Sequence, residues 1–557
     1  MRTQAIAILL SGSSLASAFQ VPLLDKIWPS MSLEQQLAQQ VQQVPDAELA
    51  ANSTRIAIIG AGAAGSSAAF WIAKARERYG LDVEVDIYEK EGYIGGRSTT
   101  VYPYNDTTYM PIELGASIFV EINRNMWRAS DEFNLTRYGF TNKEDDDEGE
   151  LGFWDGEKFI ITQGTMKGTI GGWLDNIKML WRYGFTSPMN AQKLVKTMTD
   201  QMDKAYGLES PSWENITDLV EAFKWSELVT TTGAEYFASH GVSPQFTNEI
   251  IEALTRVNYA QDIDRIHALE TACSMAASGA ASVKGGNWQI FDKFVEISGA
   301  NIFLNTKVNS ITRKSSTKWT LSTSSKTTDY NSVILAAPYH LSSLLLPSDL
   351  HSLIPKQPYI HLHVTLLTTT APNPNPAYFG LGAGAKAPIS ILTTKEGARK
   401  GGKSPEFNSL NYLSKLRKTE VESKPAGEDE QEIKEEEKEE WVVKIFSMEE
   451  ISDEWLDFVF QGQVGWVLRK EWDPYPVLPP TASFPPIKLD RGLFYVNAFE
   501  PFMSTMETET LASRNVVDWL LKEEYDAAIC PPKTSDEEGG APAQEKAKGP
   551  FVYGWDC

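Results

Sequence analysis

Cysteine is almost missing from this chain: three in 557 residues, at 273, 530 and 557. Three thiols cannot build a disulfide scaffold, so a large apolar core must stabilise the protein. A Cys530–Cys557 bridge tying down the end of the chain remains open. Histidine is also scarce, with six at 240, 267, 340, 351, 361 and 363. No HExxH and no CxxC occurs, and His361-x-His363 reads as one face of a strand, so no metal site is expected. No uninterrupted apolar run approaches the roughly 20 residues that a membrane span needs. Positive charge is in deficit, at a formal −23. Nothing basic could neutralise phosphates along a strand, which excludes nucleic acid as a partner. More than half of that excess sits in Glu144–Glu150 and Lys418–Glu440, runs that read as solvated inserts rather than active-site charge.

What the chain does have is a nucleotide fingerprint near its start. Arg55–Ile59 reads as a strand, followed by the turn Gly60-Ala61-Gly62-Ala-Ala64-Gly65 and a helix of small residues. Gly60 permits the tight turn, Gly62 lets backbone approach a pyrophosphate, and Gly65 lets helix pack on strand. The helix N-terminus then offers unpaired N–H groups to the phosphates. A second strand, Val83 to Glu89, ends in an acid placed to accept hydrogen bonds from the adenosine ribose, with Lys90 beside it. Gly95-Gly96-Arg97 lies just beyond: a second close backbone approach with a fixed positive charge near the phosphates. Gly115-Ala116-Ser117 follows at a spacing that can return the chain beneath a ribityl and flavin. The cofactor expected is FAD, with NAD(P) as the alternative.

The length suggests about two to three domains. Residues 1–18 read as a secretory signal peptide: Arg2, the short apolar stretch Ala5–Leu10, and Ala16-Ser-Ala18 as a cleavage site. Sequons at Asn52, Asn105, Asn134 and Asn215 fit glycosylation along that route. Residues 19–54 form an N-terminal linker and 55–117 the first part of an FAD-binding domain. Residues 118–284 are mainly helical and rich in tryptophan, suited either to plain core or to roofing an apolar pocket. Strand patterns in 285–340 return the chain to the nucleotide sheet. Residues 341–490 make a substrate domain with a mobile acidic insert at 395–440. Residues 491–525, a strand running into a helix, close the FAD-binding domain, and 526–557 form a tail.

At this point the motifs resemble one family, the prenylcysteine oxidases (prenylcysteine lyase domain proteins). The resemblance covers most of 55–522. It rests on the fingerprint, Tyr88-Glu89-Lys90, Glu113-x-Gly115-Ala116-Ser117, Arg256-Val-Asn-Tyr259 with Gln261, Gly285-Gly286-Asn287, Tyr495-x-Asn497 and Ser504-x-Met506-Glu507. It implies an α/β fold: a Rossmann-type FAD-binding domain joined to a mixed-sheet and helical substrate domain, as in amine-oxidase-like flavoproteins. It also implies that Val308 meets the adenine and that Met506 and Glu507 open a helix whose backbone faces the FAD. The activity implied is oxidation of a prenylcysteine thioether to prenyl aldehyde, cysteine and hydrogen peroxide, with molecular oxygen as acceptor. An FAD oxidase of another apolar substrate, an amine or a prenylated or terpenoid metabolite, is the alternative. A flavoprotein-like binding protein without activity is a third reading. The resemblance does not name a catalytic residue or an oligomeric state. It is compatible with lysosome, vacuole or extracellular space, and leaves peripheral membrane contact open.

Overall fold

The computed structural model describes residues 54–139, 150–164, 178–207, 210, 212–277, 279–382, 384–418, 439–531 and 550–557. The signal-peptide reading, Asn52, nearly all of the acidic run 144–150 and most of 418–440 lie outside them.

In chain order the elements that build the site begin with β1 (Thr54–Ile59), α1 (Ala63–Tyr79), β2 (Val83–Tyr88) and α2 (Arg124–Glu132). Next come β3 (Glu150–Trp154), β4 (Phe159–Gly164), α3 (Thr186–Met202), α4 (Glu252–Tyr259), α5 (Ala268–Met275) and α6 (Trp288–Ser298). The second half supplies β5 (Asn301–Phe303), β6 (Ser332–Leu335), β7 (Tyr359–Thr369), β8 (Ser390–Thr393), β9 (Ser409–Lys415) and β10 (Trp441–Ser447). Then follow β11 (Val464–Pro476), β12 (Lys488–Asp490), β13 (Leu493–Tyr495) and α7 (Met506–Tyr525).

Two sheets organise these elements. The first has the order β12-β13-β6-β1-β2-β5, with β1 parallel to both neighbours (Ile59 opposite Leu335 and Tyr88). In β1 and β6 the runs Ile56–Ile59 and Val333–Leu335 are continuous and apolar because both faces are covered. The second, β11-β7-β10-β9-β8-β3-β4, is mainly antiparallel with one parallel pair, β8 on β3. This is the expected α/β architecture.

The first turns of α1 are alanine, glycine and serine, and small side chains let neighbouring helices come close. Ser513 of α7 donates to Ala64 O at 2.6 Å, and Trp71 Nε1 donates to Thr510 O at 3.2 Å. Gly80 ends α1 in the left-handed region (φ 64°), its N–H returning to Arg76 O.

Two expectations change. The charged insert does not begin at 395, because Ser409–Lys415 is a strand inside the second sheet, between β8 and β10. Charges that suggested an insert are used: Arg399 pairs with fully buried Glu252, and Lys395 with Asp262. The tail also packs. Cys530 and Cys557 form a disulfide, and Trp555 lies against Phe70 at 4.8 Å and Trp71 at 5.7 Å. Of the tryptophans in the helical region, Trp213 and Trp225 are core, while Trp181 is 90% exposed.

Candidate functional site

The cradle starts where β1 ends. Gly60 has φ +105°, and a Cβ there would sit 2.5 Å from Ala336 O. At Gly65 a Cβ would lie 1.8 Å from Gly60 O, so helix and turn touch backbone to backbone. Gly62 differs: a Cβ would meet nothing nearer than Gly96 Cα at 3.8 Å and Gly95 O at 3.9 Å. The space in front of it belongs to a cavity of about 520 Å³. The first turn of α1 has no side-chain cap and no acid, which leaves its N–H groups for an anion.

Gly60, Gly62, Ala64, Gly96 and Arg97 line this cavity, and so do Val308 and, just after β2, Glu89 and Lys90. Gly115, Ala116 and Met506 line it too, together with Trp472, Tyr475 and Asn497 from the other direction. Four polar side chains on the wall carry buried atoms with no partner among the described residues: Ser98 Oγ, Trp472 Nε1, Asn497 Oδ1 and both carboxyl oxygens of Glu509. Buried polar groups are rarely left unpaired, so this wall is built for a long polar ligand.

Other expected site residues stand behind the wall. Ala61 donates its N–H to Glu89 Oε2 (2.8 Å), while Glu89 Oε1 takes the Glu91 N–H (2.8 Å). These bonds lock the acid at the strand end. Ser117 Oγ donates to Gly115 O (2.8 Å) and accepts from Lys444 Nζ (3.1 Å), which also donates to Glu113 O (2.8 Å). Burial pushes the Lys444 ammonium down to about 8 and the Glu113 carboxyl up to about 7.

Two roles are corrected. Glu507 does not face the cavity; it accepts from the N–H groups of Asn125 and Met126 (both 2.9 Å) and from Tyr206 OH (2.7 Å). It therefore braces the first turn of α2, where a carboxylate is favourable. Thr505 caps α7 by accepting from Thr508 N (3.0 Å). Glu509, three residues after Met506, faces the cavity instead; the (i, i+3) spacing was the signal available in the sequence. Arg97 lines the cavity, but both of its terminal nitrogens already have partners within the protein. It pairs with buried Glu500, which also takes Tyr359 OH, and donates to Pro474 O (3.0 Å). Its charge is neutralised by Glu500 and does not serve as free charge for phosphates.

The more particular motifs hold the wall in place. Asn287 donates its N–H to Glu113 Oε1 (2.6 Å) and its amide to Ala116 O (3.0 Å), fixing the segment ending at Ser117. Buried Arg256 ties α4 to Asp262, Thr393 and Asn408. Gln261 donates to Pro476 O (3.0 Å) and accepts from Leu478 N (2.8 Å), securing the end of β11. Tyr259 lies 5.8 Å from Tyr475, and Glu270 accepts from Ser504 N (3.2 Å).

Glu270 makes a testable electrostatic statement. Burial raises its carboxyl to about 7, so the folded protein binds that proton more tightly than the unfolded chain. Its contribution is full below about pH 4.5 and is lost as pH climbs to 7, about 3 kcal/mol in all. Glu113 and Glu507 act in the same direction, while His267, held down to about 4, opposes them between pH 4 and 6.5. Glu270→Gln should therefore lose less stability than the parent between pH 5 and 8. Parallel urea midpoints across that range would refute this.

The parallel sheet, its glycine turn and the second helix opening on the same cavity define an FAD-binding flavoprotein fold of the amine-oxidase type. Solved structures agree on the fold. Putrescine oxidase matches at TM-score 0.53 and 15% identity over 84% of this chain and 100% of that one. Cyclohexylamine oxidase from Brevibacterium oxydans matches at 0.51 and 14%, over 85% and 99%. An NAD(P)-binding Rossmann-like domain model matches residues 58–133, and a prenylcysteine lyase model matches residues 166–528. The chain belongs to the prenylcysteine lyase family. Relatives include farnesylcysteine lyase of Arabidopsis thaliana, 29% identical over 84% of this chain and 88% of that protein. Prenylcysteine oxidase 1 of Homo sapiens is 27% identical over 84% and 89%. The cofactor of this cradle is FAD.

Proposed function

We propose that this protein oxidises the thioether of a prenylated cysteine. The reaction is R–CH2–S–Cys plus oxygen and water giving R–CHO, cysteine and hydrogen peroxide. The observation that carries the reading is where the family's particular residues fall. Tyr259, Gln261 and Asn287 brace the wall segments that hold Tyr475 and Ala116, while Arg256 fixes the helix that carries Tyr259. Bound FAD supplies a two-electron acceptor for hydride, with oxygen as the final oxidant.

The carbon that loses hydride is allylic and attached to sulfur, so its developing positive charge is shared with a double bond and a sulfur lone pair. No strong base is required. What the chain must do is orient the thioether and exclude water, tasks suited to Trp472 and Tyr475 on the cavity wall, with buried Tyr259 packed against Tyr475. Secretory passage and a lysosomal, vacuolar or extracellular site fit this reading, because Asn105, Asn134 and Asn215 are exposed. A gel shift on glycosidase treatment of the native protein checks that passage.

Purified protein should release peroxide and prenyl aldehyde from farnesyl- and geranylgeranylcysteine without added NAD(P). Burial of an isoprenoid chain gives about 0.8 kcal/mol per methylene-sized group, so S-methylcysteine should be at least 100-fold poorer in kcat/KM. Turnover of amines with none of any prenyl thioether would replace this substrate class.

A further inference from the structure

Glu509 is an acid in a place where a negative charge is unwelcome. It lies one turn before Ser513 on α7, and Ser513 is bonded to Ala64 O in the first turn of α1. That register aims Glu509 at the N-terminal turn of α1, between the two helix ends that open on the cavity. It is only 5% exposed, lines the cavity, and neither carboxyl oxygen has a partner among the described residues. The nearest cation is Arg97, already committed to Glu500 and Pro474 O.

We propose that Glu509 enters the cofactor site as the neutral carboxylic acid and donates its proton in a hydrogen bond to the ribityl–diphosphate segment of FAD. The inference rests on FAD as the occupant of the cradle and is independent of the substrate. An ionised Glu509 beside Glu500 would leave one guanidinium between two carboxylates in a site that must also take a diphosphate. An unpaired buried carboxylate costs several kcal/mol even without that ligand. The neutral acid removes the repulsion and supplies a donor where the cofactor has only acceptors and hydroxyls to present. Burial and the Glu500 carboxylate both push the Glu509 carboxyl well up, and Arg97 opposes them without prevailing. Tyr495 also feels its charge; the cavity wall further carries Glu89, Lys90, Glu91, Lys307, Lys470 and Asp473, and the first turn of α1 holds no acid.

The test compares holoprotein of the parent with Glu509→Gln and Glu509→Leu, following the fluorescence of FAD released on dilution at pH 6 to 9. Gln keeps a donor that does not titrate; Leu keeps the bulk and loses the donor. FAD affinity should stay within about threefold of the parent for Gln at pH 6. For Leu it should fall by tenfold or more, the size expected for a hydrogen bond to a charged group. Raising the pH should weaken FAD binding more in the parent than in Gln. Circular dichroism and melting of each variant separate loss of cofactor from loss of fold. Leu binding as tightly as the parent, or Gln failing as badly as Leu, would overturn the proposal. A flavin-free parent would instead overturn FAD as the occupant.

Discussion

Gly62→Val protein is expected to fold normally and to be purified without flavin. Gly62 has φ −79° and ψ −166°, an extended conformation that valine adopts readily. Its Cβ would have ordinary contacts only, with Gly96 Cα at 3.8 Å and Gly95 O at 3.9 Å. The methyl groups would instead fill the part of the cavity where the diphosphate must approach the first turn of α1. The flavin-to-protein ratio should drop from near one to near zero, while far-UV circular dichroism stays unchanged. Gly65→Ala sets the contrast. Its Cβ would lie 1.8 Å from Gly60 O, so that variant should fail at folding rather than at binding. A yellow Gly62→Val protein with a normal flavin ratio would remove the diphosphate from this position.

Deleting residues 400–438 should give insoluble protein, whereas replacing only 419–438 with a short turn should preserve melting temperature and flavin content. The larger deletion removes β9 from the interior of the second sheet and exposes facing edges on β8 and β10. It also removes Phe407, Leu410 and Tyr412 from the core, roughly 1.5–3 kcal/mol for each side chain. Asn408, a partner of Arg256, goes with them. The smaller replacement spares all of this. Lys415 is paired with Trp441, Leu416 donates to Glu440 O at 2.7 Å, and Lys415 Nζ reaches Glu439 at 3.2 Å. The two ends of the excised stretch are already neighbours. Loss of flavin on the smaller replacement would show that residues 419–438 support the cradle.

The features legible in the sequence are those governed by local backbone geometry. Gly60 must take a positive φ and Gly65 must let two backbones touch; both demands are met by glycine at fixed offsets. Glu89 follows from the length of one βαβ unit. The features that stayed hidden depend on partners hundreds of residues away. Arg97 looked like free charge because Glu500, 403 positions later, cannot be paired with it from spacing. Glu507 and Glu509 are alike as residues, and it is the packing of α7 against α1 and α2 that turns one of them toward the cavity. Charge density at Lys395 and Arg399 resembled a solvated insert because their partners, Asp262 and buried Glu252, lie on a distant loop and helix. Composition reports how much charge a segment has. It does not report what meets it.

The packing of residues 550–557 against α1 bears on how the protein is made. Arg78, in the last turn of α1, donates to the carbonyl of Gly554, 476 positions later, and Trp555 covers Phe70 and Trp71. At ribosomal speeds of about 5–20 residues per second, those partners emerge on the order of half a minute to a minute and a half after the helix they cover. Throughout that interval the first βα unit has its glycine turn but lacks the residues that close its outer face. The apolar side of α1 is then an unfinished surface, open to chaperones and to other nascent chains. The Cys530–Cys557 bond can form only after residue 557 has emerged, and only where thiols oxidise. The first βα unit is thus closed on its outer face by residues translated 476 positions later.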